Sequence, residues 1–136
     1  MIQFFIPGEP PTATAQQKGY NTRTGKYYKP PELRDAEAKY LAYANEVRPA
    51  EPMEGPVDLT VIFGFGLKGK HKDFEPKTSK PDTDNMMKAL KDCLTQCRFW
   101  KDDAQVYREV ACKLWRAVPG ILVVVKDRND LGGEET

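Results

Sequence analysis

The sequence predicts an α+β fold, in which a mixed sheet of about four strands carries two helices packed on it within one small domain. The chain has 136 residues, a length that suits one compact domain with a single core. Four segments have the apolar content or the period-two pattern of strands, and two longer segments carry apolar residues at helical spacing. Their order is strand, long loop, helix, strand, helix, strand, strand, which favours helices packed on a sheet.

The first half of the chain is predicted to contain two strands, a loop and a helix. Residues 2–6 are apolar and are followed by P-G-E-P-P, which ends a buried strand. Residues 7–31 are polar and form a long loop, and such loops are usually functional or disordered. Residues 32–47 follow helical spacing, and residues 57–67 alternate apolar and other side chains as a strand does. The helical positions are Leu33, Ala36, Tyr40, Leu41, Ala44 and Val47.

The second half is predicted to contain a helix and two final strands. Residues 84–96 place an apolar stripe on one side of a helical wheel, and Asp82 or Thr83 can cap this helix. Residues 105–116 read as a strand, V-P-G as a turn and residues 121–126 as an apolar strand, so we expect a closing hairpin. The domain is expected to span residues 1–127, and the polar tail at 128–136 is expected to fray.

Composition narrows the class of protein. The 21 Lys and Arg residues against 20 Asp and Glu give a net charge of +1, so no global field commits the chain to nucleic acid or membrane. The three cysteines are an odd number without paired spacing, which suits a reducing compartment. The N-terminus shows neither a signal peptide nor a membrane span. We therefore expect a cytoplasmic protein without a membrane partner.

Carboxylates gather in the segment from residue 80 to residue 105, which opens with Asp-Thr-Asp and closes with Asp-Asp. On the predicted helix, the polar side chains that face away from the apolar stripe are Asp84, Lys88, Lys91, Asp92 and Thr95. Asp82 lies just ahead of this helix, and Asp102 and Asp103 follow the short connection to the next strand. If the helix and this strand are neighbours, the carboxylates converge.

Converging carboxylates favour a bound cation, because each raises the pKa of the others. A hard divalent ion, Mg²⁺ or Mn²⁺, fits best, since the chain has one histidine and no Cys/His set at zinc spacing. Mg²⁺ on carboxylates commonly takes further ligands from substrate phosphates and activates a water, so phosphodiester hydrolysis is the natural chemistry. Lys88, one turn beyond Asp84, would stabilise charge on phosphorus or help to place the leaving oxygen.

Simpler interpretations of the same residues stay open. An Asp at a helix start is ordinary capping and dipole chemistry, and an Asp-Lys pair four residues apart is an ordinary surface pair. An EF-hand beginning at Asp82 is rejected, because Met87 stands where glycine is needed and Cys93 where a bidentate Glu is needed.

The segment resembles the RusA-type Holliday-junction resolvases. The resemblance consists of K-P-D-T-D-N at residues 80–85, Lys88, D-C-L at residues 92–94 and F-W-K-D-D-A-Q-V at residues 99–106. It is specific over about 27 residues and looser over the rest of the chain. Family members often carry a glycine between the helix and the Phe-Trp pair, whereas this chain has T-Q-C-R-F-W. The second helix must therefore end without a glycine in the left-handed position.

The resemblance implies a homodimeric, Mg²⁺-dependent endonuclease of bacterial or phage origin that cuts four-way DNA junctions by paired nicks, without a small-molecule cofactor. It implies metal ligation by Asp82, Asp84 and Asp103 and an essential Lys88, with Asn85, Asp92 and Asp102 as candidate supporting residues. Two alternatives stay open. One is a DNA-binding protein of the same fold without catalysis, and the other is a general Mg²⁺-dependent phosphodiesterase acting on unbranched DNA.

Positive charge is concentrated in two loops, as contacts with DNA phosphates require. The first loop contains Lys18, Arg23, Lys26 and Lys29, and the second contributes Lys70, Lys72, Lys77 and Lys80. Basic loops are also common as plain solvated surface. Together with the carboxylate motif, however, these eight residues are predicted to bind DNA.

Overall fold

A computed structural model describes residues 1–13 and 19–132 of the chain. The elements are β1 (Ile2–Pro7), β2 (Gly19–Asn21), β3 (Lys26–Tyr28), α1 (Pro31–Val47), β4 (Val57–Gly66), α2 (Thr83–Gln96), a short 3₁₀ helix (Asp103–Gln105), β5 (Val106–Arg116), β6 (Gly120–Lys126) and α3 (Arg128–Gly132). The predicted α+β class is confirmed. Within the described ranges, no helix is both long enough and apolar enough to cross a membrane.

The main sheet has the strand order β1-β6-β4-β5. Strand β6 runs antiparallel to both β1 and β4, whereas β4 and β5 are parallel, so the sheet is mixed as predicted. The predicted hairpin of β5 and β6 is wrong, because β4 lies between these two strands. The short turn after β5 therefore passes across the end of β4, where the close approach favours glycine. A Cβ on Gly64 would lie 2.7 Å from the Arg116 side chain and 3.1 Å from the carbonyl oxygen of Gly120.

The hydrophobic core lies on one face of this sheet. Leu59, Val61 and Phe63 of β4 are fully buried, whereas Thr60 and Ile62 between them are only half-buried. This alternation places both long helices on the same face, where α1 contributes Tyr40 and Ala44 to the core. The buried stripe of α2 comprises Met86, Met87, Ala89, Leu90, Cys93 and Leu94. Burial of this stripe leaves the polar side of α2 exposed, as the helical wheel predicted.

The polar segment predicted as one long loop contains a small hairpin. Strands β2 and β3 pair antiparallel and are joined by a turn in which Gly25 has a φ of 69°. The Asn21 side chain holds this turn, since its Oδ1 accepts the N–H of Arg23 at 2.9 Å. Strands of three residues leave almost no periodic signal in a sequence, which explains why the hairpin was not predicted.

The C-terminal segment begins with a short helix that the sequence analysis did not predict. Residues 128–132 form α3, whereas residues 133–136 lie outside the described part of the chain. The Asp130 carboxylate accepts the N–H of Asp127 at 2.9 Å and pairs with the N-terminal amine at 3.1 Å. These two contacts hold the start of the tail against the end of β6 and the N-terminus, and the expected fraying of the tail stays a prediction.

The end of α2 solves the problem posed by the missing glycine. Arg98 adopts a left-handed conformation with a φ of 66°. The N–H of Phe99 donates to the carbonyl of Leu94 at 3.1 Å, and the N–H of Arg98 donates to the carbonyl of Thr95 at 3.0 Å. These two bonds form a Schellman motif, the usual glycine-assisted helix end. The chain therefore makes the glycine-type turn with an arginine, at a cost in backbone energy.

Replacing Arg98 with glycine should raise the free energy of unfolding by about 1 kcal/mol, because relief of the left-handed strain outweighs the extra freedom of glycine in the unfolded chain. Urea unfolding measures this change. Arg98→Ala is the matched control, since it removes the same charge but keeps a Cβ, and it should bring no gain. An equal gain in both variants would mean that the charge, not the backbone, is responsible.

Candidate active site

An open cavity of about 220 Å³ lies where the polar side of α2 meets the 3₁₀ helix and β5. Its lining residues are Asp84, Met87, Lys88, Lys91, Asp92, Asp103 and Glu109. Four carboxylates and two ammonium groups thus face one space, and Met87 forms its apolar wall. The structure brings together Asp84, Lys88 and Asp103, which the sequence analysis had linked across the helix and the following turn.

Helix α2 supplies most of the cavity because its polar residues recur at helical spacing. Asp84 and Lys88 are four residues apart, and Lys91 and Asp92 continue the same face one turn later. Asp84, Lys88 and Asp92 are exposed, whereas the opposite side of the helix is buried in the core. The core therefore orients the helix and keeps these three side chains toward solvent.

The adjacent residues Asp102 and Asp103 have different roles. The Asp102 carboxylate accepts the N–H of Ala104 at 2.9 Å, and the Gln105 side chain accepts the N–H of Asp102 at 3.1 Å. This is a capping box, so Asp102 is occupied in holding the 3₁₀ helix. Both residues are exposed, but Asp103 is the one that lines the cavity.

The link between α2 and the 3₁₀ helix is anchored at several points. Trp100 is fully buried, and its indole N–H donates to Thr95 Oγ1 at 2.7 Å. Gln105 Nε2 donates to the carbonyl oxygens of Met53 and Gly55 at 2.9 and 3.1 Å. These contacts fix the position of Asp103 relative to α2. Sequence reasoning missed the anchoring role of Gln105, although the D-D-x-Q spacing is a recognisable signal for a capping box.

Asp82 lies at the N-terminal boundary of α2, but its side chain makes no capping hydrogen bond. Of the two predicted cap residues, Asp82 and Thr83, Asp82 therefore occupies the N-cap position without using its side chain, and its carboxylate is exposed. Asp82 does not line the cavity that holds Asp84 and Asp103. Asn85, the neighbouring candidate, is half-buried and is also absent from the lining.

Glu109 is a cavity residue that the sequence analysis missed. It lies on β5 and accepts a hydrogen bond from Lys91 Nζ at 2.9 Å, across the cavity from α2. Its orientation depends on the parallel pairing of β5 with β4 and on the irregular register beside Val57, neither of which a single sequence reveals.

The donors around the cavity are of the kind that Mg²⁺ prefers, because all the anionic groups are carboxylates. Within residues 1–13 and 19–132, no group of three or more Asp, Glu, His or Cys side chains is close enough to hold a metal ion. The carboxylate donors suit a hard divalent ion in their chemistry, but ligation by three of them would require them to draw closer together.

Part of the first basic segment forms an exposed cationic surface, and its predicted binding to DNA stays a prediction. Lys18 lies outside the described residues. Arg23 and Lys26 line an open groove of about 530 Å³ together with Arg34 of α1, which the sequence analysis missed because it lies among acidic residues. Lys29 instead pairs with Glu37 at 2.9 Å, and this contact raises the pKa of Lys29.

The second basic segment likewise contains both exposed lysines and a lysine with a partner inside the protein. Lys70, Lys72 and Lys80 are exposed. Lys77 is half-buried, with its Nζ 4.5 Å from the centre of the Trp115 ring and 2.6 Å from Ser79 Oγ. Burial, reinforced by the nearby charge of Lys113, lowers the pKa of Lys77. Lys77 therefore has a partner within the chain.

Carboxylates and a lysine that face one cavity are typical of hydrolases that act on phosphodiesters. The family model described as endodeoxyribonuclease RusA matches residues 7–126, and the chain belongs to this family. The predicted family and the predicted endodeoxyribonuclease class are thereby confirmed.

The chain is also similar to two curated proteins. The chain is 34% identical over 95 residues to the crossover junction endodeoxyribonuclease rusA of Lactococcus phage r1t, a match that covers 68% of this chain and 72% of the phage protein. It is 30% identical over 143 residues to the uncharacterized protein YqaN of Bacillus subtilis (strain 168), covering 93% of this chain and 96% of that protein.

Proposed function

We propose that this protein is a divalent-metal-dependent endonuclease that resolves four-way DNA junctions by paired, symmetric nicks. The observation that carries the proposal is the meeting of Asp84, Lys88 and Asp103 at one cavity, although they come from two separate elements. Family membership supports nuclease chemistry, and the name of the phage relative supports a crossover junction as the substrate.

In this proposal Asp82, Asp84 and Asp103 hold Mg²⁺, for which Mn²⁺ can substitute. The bound ion supplies an activated water and offsets the charge that develops on the phosphate. Asp82 reaches the ion from the start of α2, where its carboxylate has no capping role. Asp102 supports the ligands by holding the 3₁₀ helix, and Asn85 and Asp92 border the ligand residues on α2.

Lys88 binds the scissile phosphate in this proposal. Its ammonium group lies in the same cavity as Asp84 and Asp103, so it can donate hydrogen bonds to phosphate oxygens next to the ligands. A preorganised cation at this position is most effective as negative charge accumulates in the transition state. The Lys91–Glu109 pair borders the same space.

The exposed cations provide the proposed contacts with the DNA backbone. Arg23, Lys26 and Arg34 line one groove, and Lys70, Lys72 and Lys80 are exposed lysines of the loop that leads into the start of α2. Lys18, which lies outside the described residues, stays a predicted DNA contact from the sequence alone. Lys29 and Lys77 contribute through their partners in the chain. Paired cuts on a junction with near two-fold symmetry call for a two-fold homodimer, in which each subunit supplies one cavity.

A cleavage assay tests this function directly. Wild-type protein is incubated with a synthetic four-way junction and with a duplex of matched sequence, in Mg²⁺, in Mn²⁺ or in EDTA. We expect nicks at symmetric positions in two opposing strands of the junction. The nicks should be absent in EDTA, because the carboxylates then hold no ion.

The same assay distinguishes the two alternatives. Equal cleavage of the duplex would contradict the junction assignment and indicate a nuclease for unbranched DNA. Binding to the junction without cleavage in either metal would indicate a DNA-binding protein that has kept the fold and lost the chemistry.

A further inference from the structure

Lys113 of β5 holds the segment that leads into α2. Its Nζ donates to the carbonyl oxygen of Ser79 at 2.6 Å and to that of Pro81 at 2.7 Å. Its own carbonyl accepts the N–H of Lys77 at 2.9 Å, so both the side chain and the backbone of Lys113 contact this segment. No other residue of β5 donates a side-chain hydrogen bond to residues 79–81 in the part of the chain that the structure describes.

Lys113 connects two walls of the cavity, one formed by β5 and the other by α2. Glu109 lies four residues earlier on β5, and side chains four apart on a strand point to the same face. Pro81, the residue that Lys113 holds, is buried and immediately precedes Asp82. Lys113 therefore connects the β5 wall, which carries Glu109, to the start of the helix that carries Asp84.

The chemistry of Lys113 exceeds what packing alone requires. A half-buried ammonium group costs solvation, and Lys77 places a second cation nearby, which makes the arrangement less favourable still. The two carbonyl oxygens offset this cost. A methionine at position 113 would fill the same space without a charge. The ammonium group of Lys113 therefore does more than fill volume.

We propose that Lys113 is a positioning residue for the metal-binding aspartates, because it fixes the start of α2 against the β5 wall of the cavity. This inference rests on the proposed function for its role in metal binding. The contact itself, and its effect on the order of residues 79–84, do not depend on that function.

The test compares Lys113→Met with Lys126→Met. Methionine keeps a chain of similar length but cannot donate, and Lys126 lies on β6 with its side chain on the sheet face opposite the core. We expect Lys113→Met to raise the Mg²⁺ concentration for half-maximal junction cleavage about 10-fold or more, as loss of a group that orients metal ligands typically does. The affinity for the junction in EDTA should stay unchanged, and Lys126→Met should behave as wild type.

Two further measurements keep the inference falsifiable. Lys113→Arg retains hydrogen-bond donors and should recover part of the Mg²⁺ affinity. This variant can be measured even if Lys113→Met fails to fold. Amide hydrogen exchange at residues 82–86 should accelerate in Lys113→Met and remain slow in Lys126→Met, whether or not the protein cleaves DNA. An unchanged Mg²⁺ requirement with unchanged exchange would overturn the inference. Faster exchange in a protein whose wild type never cleaves would instead leave the positioning role standing and reject the proposed function.

Discussion

Asp84→Asn should reduce the rate of Mg²⁺-dependent junction cleavage by about 10³-fold, with little change in stability. Asparagine has the same size as aspartate but lacks the negative charge that holds a hard cation. A metal ion that activates water and neutralises developing charge contributes several kcal/mol, and about 4 kcal/mol corresponds to this factor. Asp84 is exposed and in the first turn of α2, so its replacement leaves the core intact.

Single-turnover cleavage of the junction measures this effect, and a binding assay in EDTA accompanies it. Binding should persist, because loss of one carboxylate removes repulsion from DNA phosphates. Asp35→Asn is the matched control, since Asp35 is an exposed aspartate on α1 outside the cavity. If Asp84→Asn retains cleavage within about tenfold of the control, Asp84 is not a metal ligand.

Local periodicity explains which parts of the fold were predictable. The alternation of Leu59, Val61 and Phe63 defined β4, and the apolar stripe of α2 defined the helix and its exposed side. Strand pairing was not predictable in this way. The short turn between β5 and β6 suggested a hairpin, but β4, which carries many fully buried residues, lies between these two strands.

The same distinction applies to the candidate site. Asp84 and Lys88 share a helix, so helical geometry alone is enough to place them together. Glu109 and Lys113 face α2 only because β5 pairs in parallel with β4, a long-range contact that leaves no local pattern. Arg98 is a different case, since its left-handed conformation opposes local preference and is imposed by the packing of Phe99 and Trp100 in the core.

Asp103→Asn and Asp102→Asn should give different results, although the two residues are adjacent and chemically identical. Asp103 faces the cavity, so its replacement should lower cleavage about 10³-fold, as for Asp84, and change the free energy of unfolding by less than about 0.5 kcal/mol. Asp102 accepts the N–H of Ala104, and loss of its charge weakens the cap. Asp102→Asn should therefore destabilise only slightly, because asparagine also caps well.

Asp102→Ala completes the comparison, since alanine cannot accept the capping hydrogen bond and should lower the free energy of unfolding by about 1 kcal/mol. Its cleavage rate should fall by about tenfold or less, through a looser Asp103 rather than a lost ligand. Urea unfolding and single-turnover cleavage on all three variants measure both quantities. A pattern in which Asp102→Asn abolishes cleavage while Asp103→Asn does not would reassign the ligand, because it would require the 3₁₀ helix to turn its cap residue toward Asp84. Comparison of the Asp102 and Asp103 variants thus distinguishes the effect of a carboxylate's charge from the effect of its orientation. The capping box determines that orientation here.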